Sequence, residues 1–173
     1  MRTQAGLGGK NAVVVAKDAN ISEAVEIVCK GAFSLSGQAR TATSCAIVMR
    51  LAYDEFLHLL EQRVRILRVG NGLVPEVDMG PVASEEHLQK ISYYIKLGQD
   101  EGAELLFGGF FNLENMQGFF VKLTVFINVK PEMRIAREDI FGPVLCILKA
   151  RDFDEAIEIA NAVEYGLVAS ICT

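Results

Sequence analysis

Residues 12–49 read AVVVAKDANISEAVEIVCKGAFSLSGQARTATSCAIVM, and they decide the fold. Residues 12–16 are an unbroken apolar run, the pattern of a strand buried on both faces. Asn20, with Glu23 three positions on, predicts a capped helix start. Ile21, Ala24, Val25, Val28, Ala32 and Phe33 then recur at three- and four-residue steps, one face of a helix running towards Gly37. Residues 46–49 are a second buried strand. Strand, long helix and strand make a crossover unit, which sets two strands side by side in parallel.

The same grammar continues outward. Phe56, Leu60, Val64 and Leu67 predict a second amphipathic helix ending near Gly70. Residues 69–83 carry three glycines and two prolines and read as a turn-rich connection. Ser84 predicts the cap of a third helix, carried by Leu88, Ile91, Tyr94 and Ile95. Residues 105–107 read as a brief strand broken by Gly108 and Gly109, while 110–117 stay open between loop and hairpin. Residues 119–126 and 144–148 read as extended, with the polar stretch 130–139 between them. Asp152 and Glu155 predict the cap of a last helix with Phe153, Ala156, Ile157, Ala160 and Val163 inward, and 168–172 reads as a final buried strand. The expected fold class is therefore α/β, a mainly parallel open sheet with helices on both faces.

The chain has 173 residues, 51% of them hydrophobic and 23% charged, which excludes a disordered chain, a collagen-like repeat and a disulfide-dense miniprotein. One domain fits this length, and two complete domains would be cramped. The net charge of −5 comes without a basic run or a basic aromatic face, so no nucleic-acid partner is expected. Apolar runs stop at five or six residues, against the roughly 20 needed to span a bilayer. Residues 1–20 hold polar groups where a signal peptide needs an apolar core. No membrane partner is expected, and the expected location is cytoplasmic. Cys29, Cys45, Cys146 and Cys172 show no CxxC or Cys/His spacing, and His58 and His87 have no ligand-like companions, so no metal is expected. Cys29, Cys146 and Cys172 lie in apolar segments as small core residues.

Leu7-Gly8-Gly9-Lys10-Asn11 stands directly before the first strand. It lacks GxGxxG and the GxxxxGK spacing, so alone it is a weak nucleotide signature. Four further segments follow in order: Gly37-Gln38 with Thr41-Ala42-Thr43-Ser44; Asp78-Met79-Gly80-Pro81; residues 133–144, MRIAREDIFGPV; and Glu164-Tyr165-Gly166-Leu167. Together the five closely resemble the catalytic domain of the aldehyde dehydrogenase superfamily, over nearly the whole chain. The wording around residues 31–49 and 69–109 is most similar to the semialdehyde dehydrogenases.

That resemblance implies an NAD(P)-dependent oxidation of an aldehyde or semialdehyde to a carboxylate. In such chemistry a thiolate attacks the carbonyl, backbone and amide donors hold the oxyanion, hydride passes to NAD or NADP, and a glutamate activates water to hydrolyse the thioester. The family's nucleophile stands in Gly-Gln-x-Cys-Thr; here the segment reads Gly37-Gln38-Ala39-Arg40-Thr41, placing Arg40 at that position. The family's base precedes Leu-Gly-Gly-Lys; here that position is Gly6. Leu7, Lys90, Asp139 and Phe141 are the cofactor-side positions that the resemblance implies, with Asp139 one methylene shorter than the usual glutamate. Lys10 and Lys90 suit either a cofactor phosphate or ribose, or plain solvation. Phe141 suits either packing on a nicotinamide or a structural turn. Gln38 remains a candidate for shaping an oxyanion pocket.

A guanidinium stays protonated and offers no lone pair, so Arg40 cannot act as nucleophile, and glycine has no side chain to act as base. The chain is therefore expected to be catalytically impaired. Smaller departures from the family accompany these: Asn11-Ala12 where Asn-Pro is usual, no proline before Thr124, and His87 where a cofactor-contacting glutamine is common. Cys45 stands where relatives often carry arginine, about five residues and roughly 16 Å of extended chain beyond Arg40, and is expected to be a passive strand cysteine. The resemblance further implies that residues 1–173 form a single catalytic-domain fragment, with the dinucleotide-binding domain and the C-terminal oligomerisation segment absent. A homo-oligomer, or association with another chain, is the expected assembly. The alternative is a non-catalytic module that self-associates or docks on a partner.

Overall fold

The computed structural model describes residues 8–109 and 118–173. Gly6, Leu7 and the loop-or-hairpin stretch 110–117 lie outside the described residues.

Strand β1 (Asn11–Val15) is buried along its whole length, as the apolar run requires. Asn20 caps α1 (Ile21–Phe33) by accepting from the Glu23 backbone N–H, and β2 (Thr43–Met49) returns beside β1 in parallel. Helix α2 (Arg50–Ile66) follows directly. After the turn-rich connection comes α3 (Glu85–Asp100), capped by Ser84. Then follow β3 (Glu104–Phe107), β4 (Thr124–Ile127), the one-turn helix α4 (Arg134–Arg137), β5 (Val144–Ala150), α5 (Phe153–Asn161) and β6 (Ala169–Cys172). The sheet order is β3-β4-β5-β2-β1-β6; every neighbouring pair is parallel except β3 with β4.

Alternation along the central strands divides the core into two layers. Val13, Val15, Ala46, Val48, Leu145 and Ile147 face α1 and α2. Ala12, Val14, Cys45, Ile47, Cys146 and Leu148 face α3, α4 and α5. Helices therefore cover both faces, and the central strands read as unbroken apolar runs because neither face meets water. Among the described residues no helix is long and apolar enough to cross a membrane.

Several expectations need correction. Helix α1 stops at Phe33, short of Gly37, because Leu35, Ser36 and Gly37 take left-handed backbone angles. The extended reading of 119–126 holds as a strand only from Thr124; Val121 and Leu123 are buried by side-chain packing outside the ladder. The polar stretch 130–139 contains α4, whose Ile135 and Ala136 are buried. On α5, Phe153 and Ile157 are exposed and Ala156 is the buried contact. Apolar residues occupy two stripes of that helix, so periodicity alone could not say which one faces the sheet. β6 is an exposed edge strand, where a buried one was expected, and Cys172 on it is half-buried. An apolar run cannot report whether a layer covers it.

Candidate functional site

The loops that precede β1, β2 and β5 converge at the amino ends of those strands. They line a pocket with Gly8 to Asn11, Gly37, Ala39, Arg40, Ala42 to Ser44, and Asp139 to Gly142. Its enclosed part measures about 20 Å³ and the remainder opens to solvent, which is room for little more than one fixed water. Open α/β sheets ordinarily bind ligands at the carboxyl ends of their strands, so this pocket lies at the opposite edge.

The loop before β2 is held in an unusual shape. Leu35, Ser36 and Gly37 have φ of 51°, 57° and 67° in succession. Side chains disfavour that region, and local bonds fix it here. The Ser36 hydroxyl lies 2.9 Å from the Gly80 carbonyl oxygen and donates to it, and the Pro81 carbonyl lies 3.2 Å away. Gln38 accepts from the Ala83 backbone N–H at 2.9 Å through Oε1, while its Nε2 reaches the Leu35 carbonyl at 3.4 Å. Gly37 packs directly on the Gly142-Pro143 backbone of the neighbouring loop.

Asn11 ties three segments together from the first residue of β1. Its amide donates to the carbonyls of Arg40 (2.8 Å) and Ala42 (2.9 Å), and its oxygen accepts from the Val168 N–H at 3.3 Å. The loop before β5 is held from two sides. The Lys10 ammonium, buried, donates to the Glu138 carbonyl at 2.9 Å, and Lys90 donates to the Asp139 carbonyl at 3.0 Å. The Tyr94 hydroxyl donates to Glu138 Oε2 at 2.7 Å, and Arg134 pairs with the same carboxylate. The hydrogen bonds from Arg134 hold the Glu138 carboxyl below its ordinary range, while burial and the bond to Glu138 push the Tyr94 hydroxyl up to about 12. Phe141 has a φ of 60°, and the His87 ring both bonds its carbonyl and packs edge-on to its ring.

Of the sequence candidates, Arg40, Asp139 and Phe141 meet on the pocket wall. Gln38 and Lys90 stand beside it, with their side chains engaged on the backbone of Ala83 and Asp139. Gly6 and Leu7 lie outside the described residues. Cys45 is buried in β2 and lines a different, apolar pocket beside α5. Two residues that organise the site were missed. Asn11 carried a signal, a carboxamide opening an otherwise apolar strand, whereas His87 carried none beyond its departure from the family pattern.

A Cβ built on Gly8 would come within 2.6 Å of Asp139 Oδ2, so glycine there keeps that carboxylate open to the pocket. The described lining residues include Thr43 and Ser44 but no cysteine and no histidine. Among the described residues, no group of three or more His, Cys, Asp or Glu is placed to hold a metal ion. The arrangement can bind and orient polar groups. It presents no thiolate.

The family model described as "Aldehyde dehydrogenase family" matches residues 1–173. The chain is 45% identical over 170 residues to a 2,5-dioxopentanoate dehydrogenase of Saccharolobus solfataricus, covering 98% of the chain and 35% of the relative. It is 46% identical over 173 residues to an alpha-ketoglutaric semialdehyde dehydrogenase of Bacillus subtilis, again covering 98% and 35%. Among solved structures, an NAD-dependent aldehyde dehydrogenase from Sinorhizobium meliloti superposes with a TM-score of 0.93 at 36% identity, covering 96% of the chain and 33% of the other. A 1-pyrroline-5-carboxylate dehydrogenase from Thermus with bound NAD gives 0.90 at 37% identity, covering 96% and 31%. The chain thus spans about a third of the length of these relatives.

Proposed function

The chain belongs to the aldehyde dehydrogenase family, and from that premise we propose that its 173 residues are a catalytic-domain portion whose site does not oxidise aldehydes. The observation that carries this reading is Arg40 on the wall of the pocket that Gly9 and Phe141 also line. A guanidinium there offers hydrogen bonds and charge to an oxyanion or carboxylate, but no electron pair to a carbonyl carbon. The position equivalent to the family's base is Gly6, which supplies no carboxylate to activate water. The substrate class to which the site is related is an aldehyde or semialdehyde, in keeping with the names of its relatives.

The residues present fit the ribose end of NAD or NADP. Asp139 would accept hydrogen bonds from ribose hydroxyls across the space that Gly8 leaves, and Phe141 would flank the ring. When bound, such a group supplies a hydride acceptor. Lys90 and His87 act a step back, holding the carbonyls of Asp139 and Phe141.

An activated ester separates loss of the nucleophile from any question of cofactor, because it acylates a thiolate unaided. With p-nitrophenyl acetate the chain is expected to release nitrophenolate with no initial burst. Arg40→Cys is expected to add a burst approaching one equivalent per chain. A stoichiometric burst from the unaltered chain would overturn the reading.

A second reading, a self-associating module, is favoured by one observation. Phe153, Ile157, Leu167, Val168 and Ile171 are exposed within a short span of sequence, and among the described residues β6 is the outermost strand, with no partner on its outer edge. Exposed apolar groups beside a free strand edge favour association. Light scattering across a concentration series is expected to show dimers or larger species; a monomer at every concentration would remove this reading.

A further inference from the structure

We propose that Cys45 and Cys146 form a reversible disulfide when the protein meets a peroxide, tying β2 to β5 beneath the two site loops. The two cysteines are register partners on adjacent parallel strands and point into the same core layer. Their thiols lie under the same turn: Cys146 Sγ is 3.3 Å from the Ile135 carbonyl oxygen and Cys45 Sγ is 3.8 Å from that of Ala136.

Neighbouring strands lie about 4.7–4.9 Å apart. That spacing falls inside the range of about 4.4–6.8 Å that a disulfide spans between Cα atoms, but below its usual value of about 5.5–6 Å. On that spacing the bond can close, and a dithiol reductant can open it again.

Access and polarity favour the same pair. Cys45 lines the apolar pocket with Lys10, Pro131, Ala136, Ile159 and Val163, which opens to solvent beside α5. A hydrogen bond from Cys146 lowers Cys45, with the Lys10 charge helping, whereas that bond and burial raise Cys146. Cys45 lines that pocket and Cys146 does not, so Cys45 is the sulfur a peroxide reaches first and Cys146 the resolving one. Cys29 is buried elsewhere, in the other core layer, and burial pushes its thiol up to about 12.

The chemistry balances. The Cys45 thiolate attacks one peroxide oxygen, the O–O bond breaks, and the second oxygen leaves as hydroxide and is protonated to water. The resulting sulfenic acid is attacked by Cys146 sulfur, forming S–S and releasing a second water after the thiol proton is transferred. Two thiols and one hydrogen peroxide give one disulfide and two waters; the sulfurs lose the electron pair that the peroxide gains. Each cysteine stands five residues after a pocket residue, Cys45 after Arg40 and Cys146 after Phe141. The bond would also withdraw both thiols from the α4 carbonyls that lead into the Glu138-Asp139 segment.

The test treats the folded chain with equimolar hydrogen peroxide, blocks remaining thiols with N-ethylmaleimide, and maps unreduced peptides by mass spectrometry. The expected result is a linked Cys45–Cys146 peptide in most chains, a protein lighter by two hydrogens before blocking, two thiols still blocked, and full reversal by dithiothreitol. Cys45→Ser is expected to abolish the link, and in Cys146→Ser dimedone is expected to capture a sulfenic acid on Cys45. Peptide mapping of the unaltered chain decides the matter even if a variant fails to fold. Four intact thiols, a Cys172-linked dimer as the main product, or Cys45 passing directly to sulfinic acid in the unaltered chain would each overturn the proposal.

Discussion

Gly37→Ala is expected to cost a large share of the chain's folding stability. Gly37 sits at a φ of 67°, where a residue with a Cβ costs roughly 1–2 kcal/mol. Its Cβ would also meet the Gly142 carbonyl oxygen at 2.3 Å, its carbon at 2.4 Å and Pro143 N at 2.7 Å. These are backbone atoms, so no side chain can swing away. Relief requires the loops before β2 and β5 to separate, an overpacking cost of about 1–3 kcal/mol. Together the two come to roughly 2–5 kcal/mol, set against a total stability of about 5–15 kcal/mol for a domain. Urea unfolding should show a lower midpoint with an unchanged slope. A loss under about 1 kcal/mol would mean that the two loops are not in the close contact described.

Asn11→Ala is expected to be the second most damaging change. It strips donors from the Arg40 and Ala42 carbonyls and an acceptor from the Val168 N–H. A buried polar group left without its partner costs about 1–3 kcal/mol, and roughly 3 kcal/mol in total is expected because the Ala42 bond is fully buried. The defect should be local as well as global. Amide hydrogen exchange at residue 168 should quicken, and the loop carrying Arg40 should gain mobility, before the sheet core changes. Asn11→Asp separates hydrogen bonding from volume. It keeps the size but sets a carboxylate oxygen, an acceptor, against the two carbonyl oxygens that the amide donated to, so it should be at least as destabilising as alanine. A mild Asn11→Asp would assign the effect to packing.

The core layers were legible because residues 12–16, 46–49 and 144–148 are apolar throughout, the pattern that a strand covered on both faces shows. The caps at Asn20, Ser84 and Asp152 were legible because each side chain satisfies a backbone N–H three residues on. The ends of the chain's last two elements were not. Phe153, Ile157 and Ile171 have the same chemistry whether or not a layer covers them. At the site, motif order brought Arg40, Asp139 and Phe141 to notice, and these three do share one pocket. What holds them there lay out of reach, since the bonds from Asn11, His87 and Lys90 run to backbone carbonyls 29, 54 and 49 residues away. A carbonyl leaves no mark on a sequence, and three successive left-handed residues with only one glycine leave almost none.

A pocket built on the family's frame, with Arg40 on its wall, should not oxidise aldehydes. The most direct measurement mixes the chain with NAD or NADP and a panel of short aldehydes and semialdehydes, and follows the near-ultraviolet absorbance of the reduced nicotinamide. No rise above the protein-free control is expected for any member of the panel. Sustained formation of reduced nicotinamide, proportional to protein concentration, would contradict it.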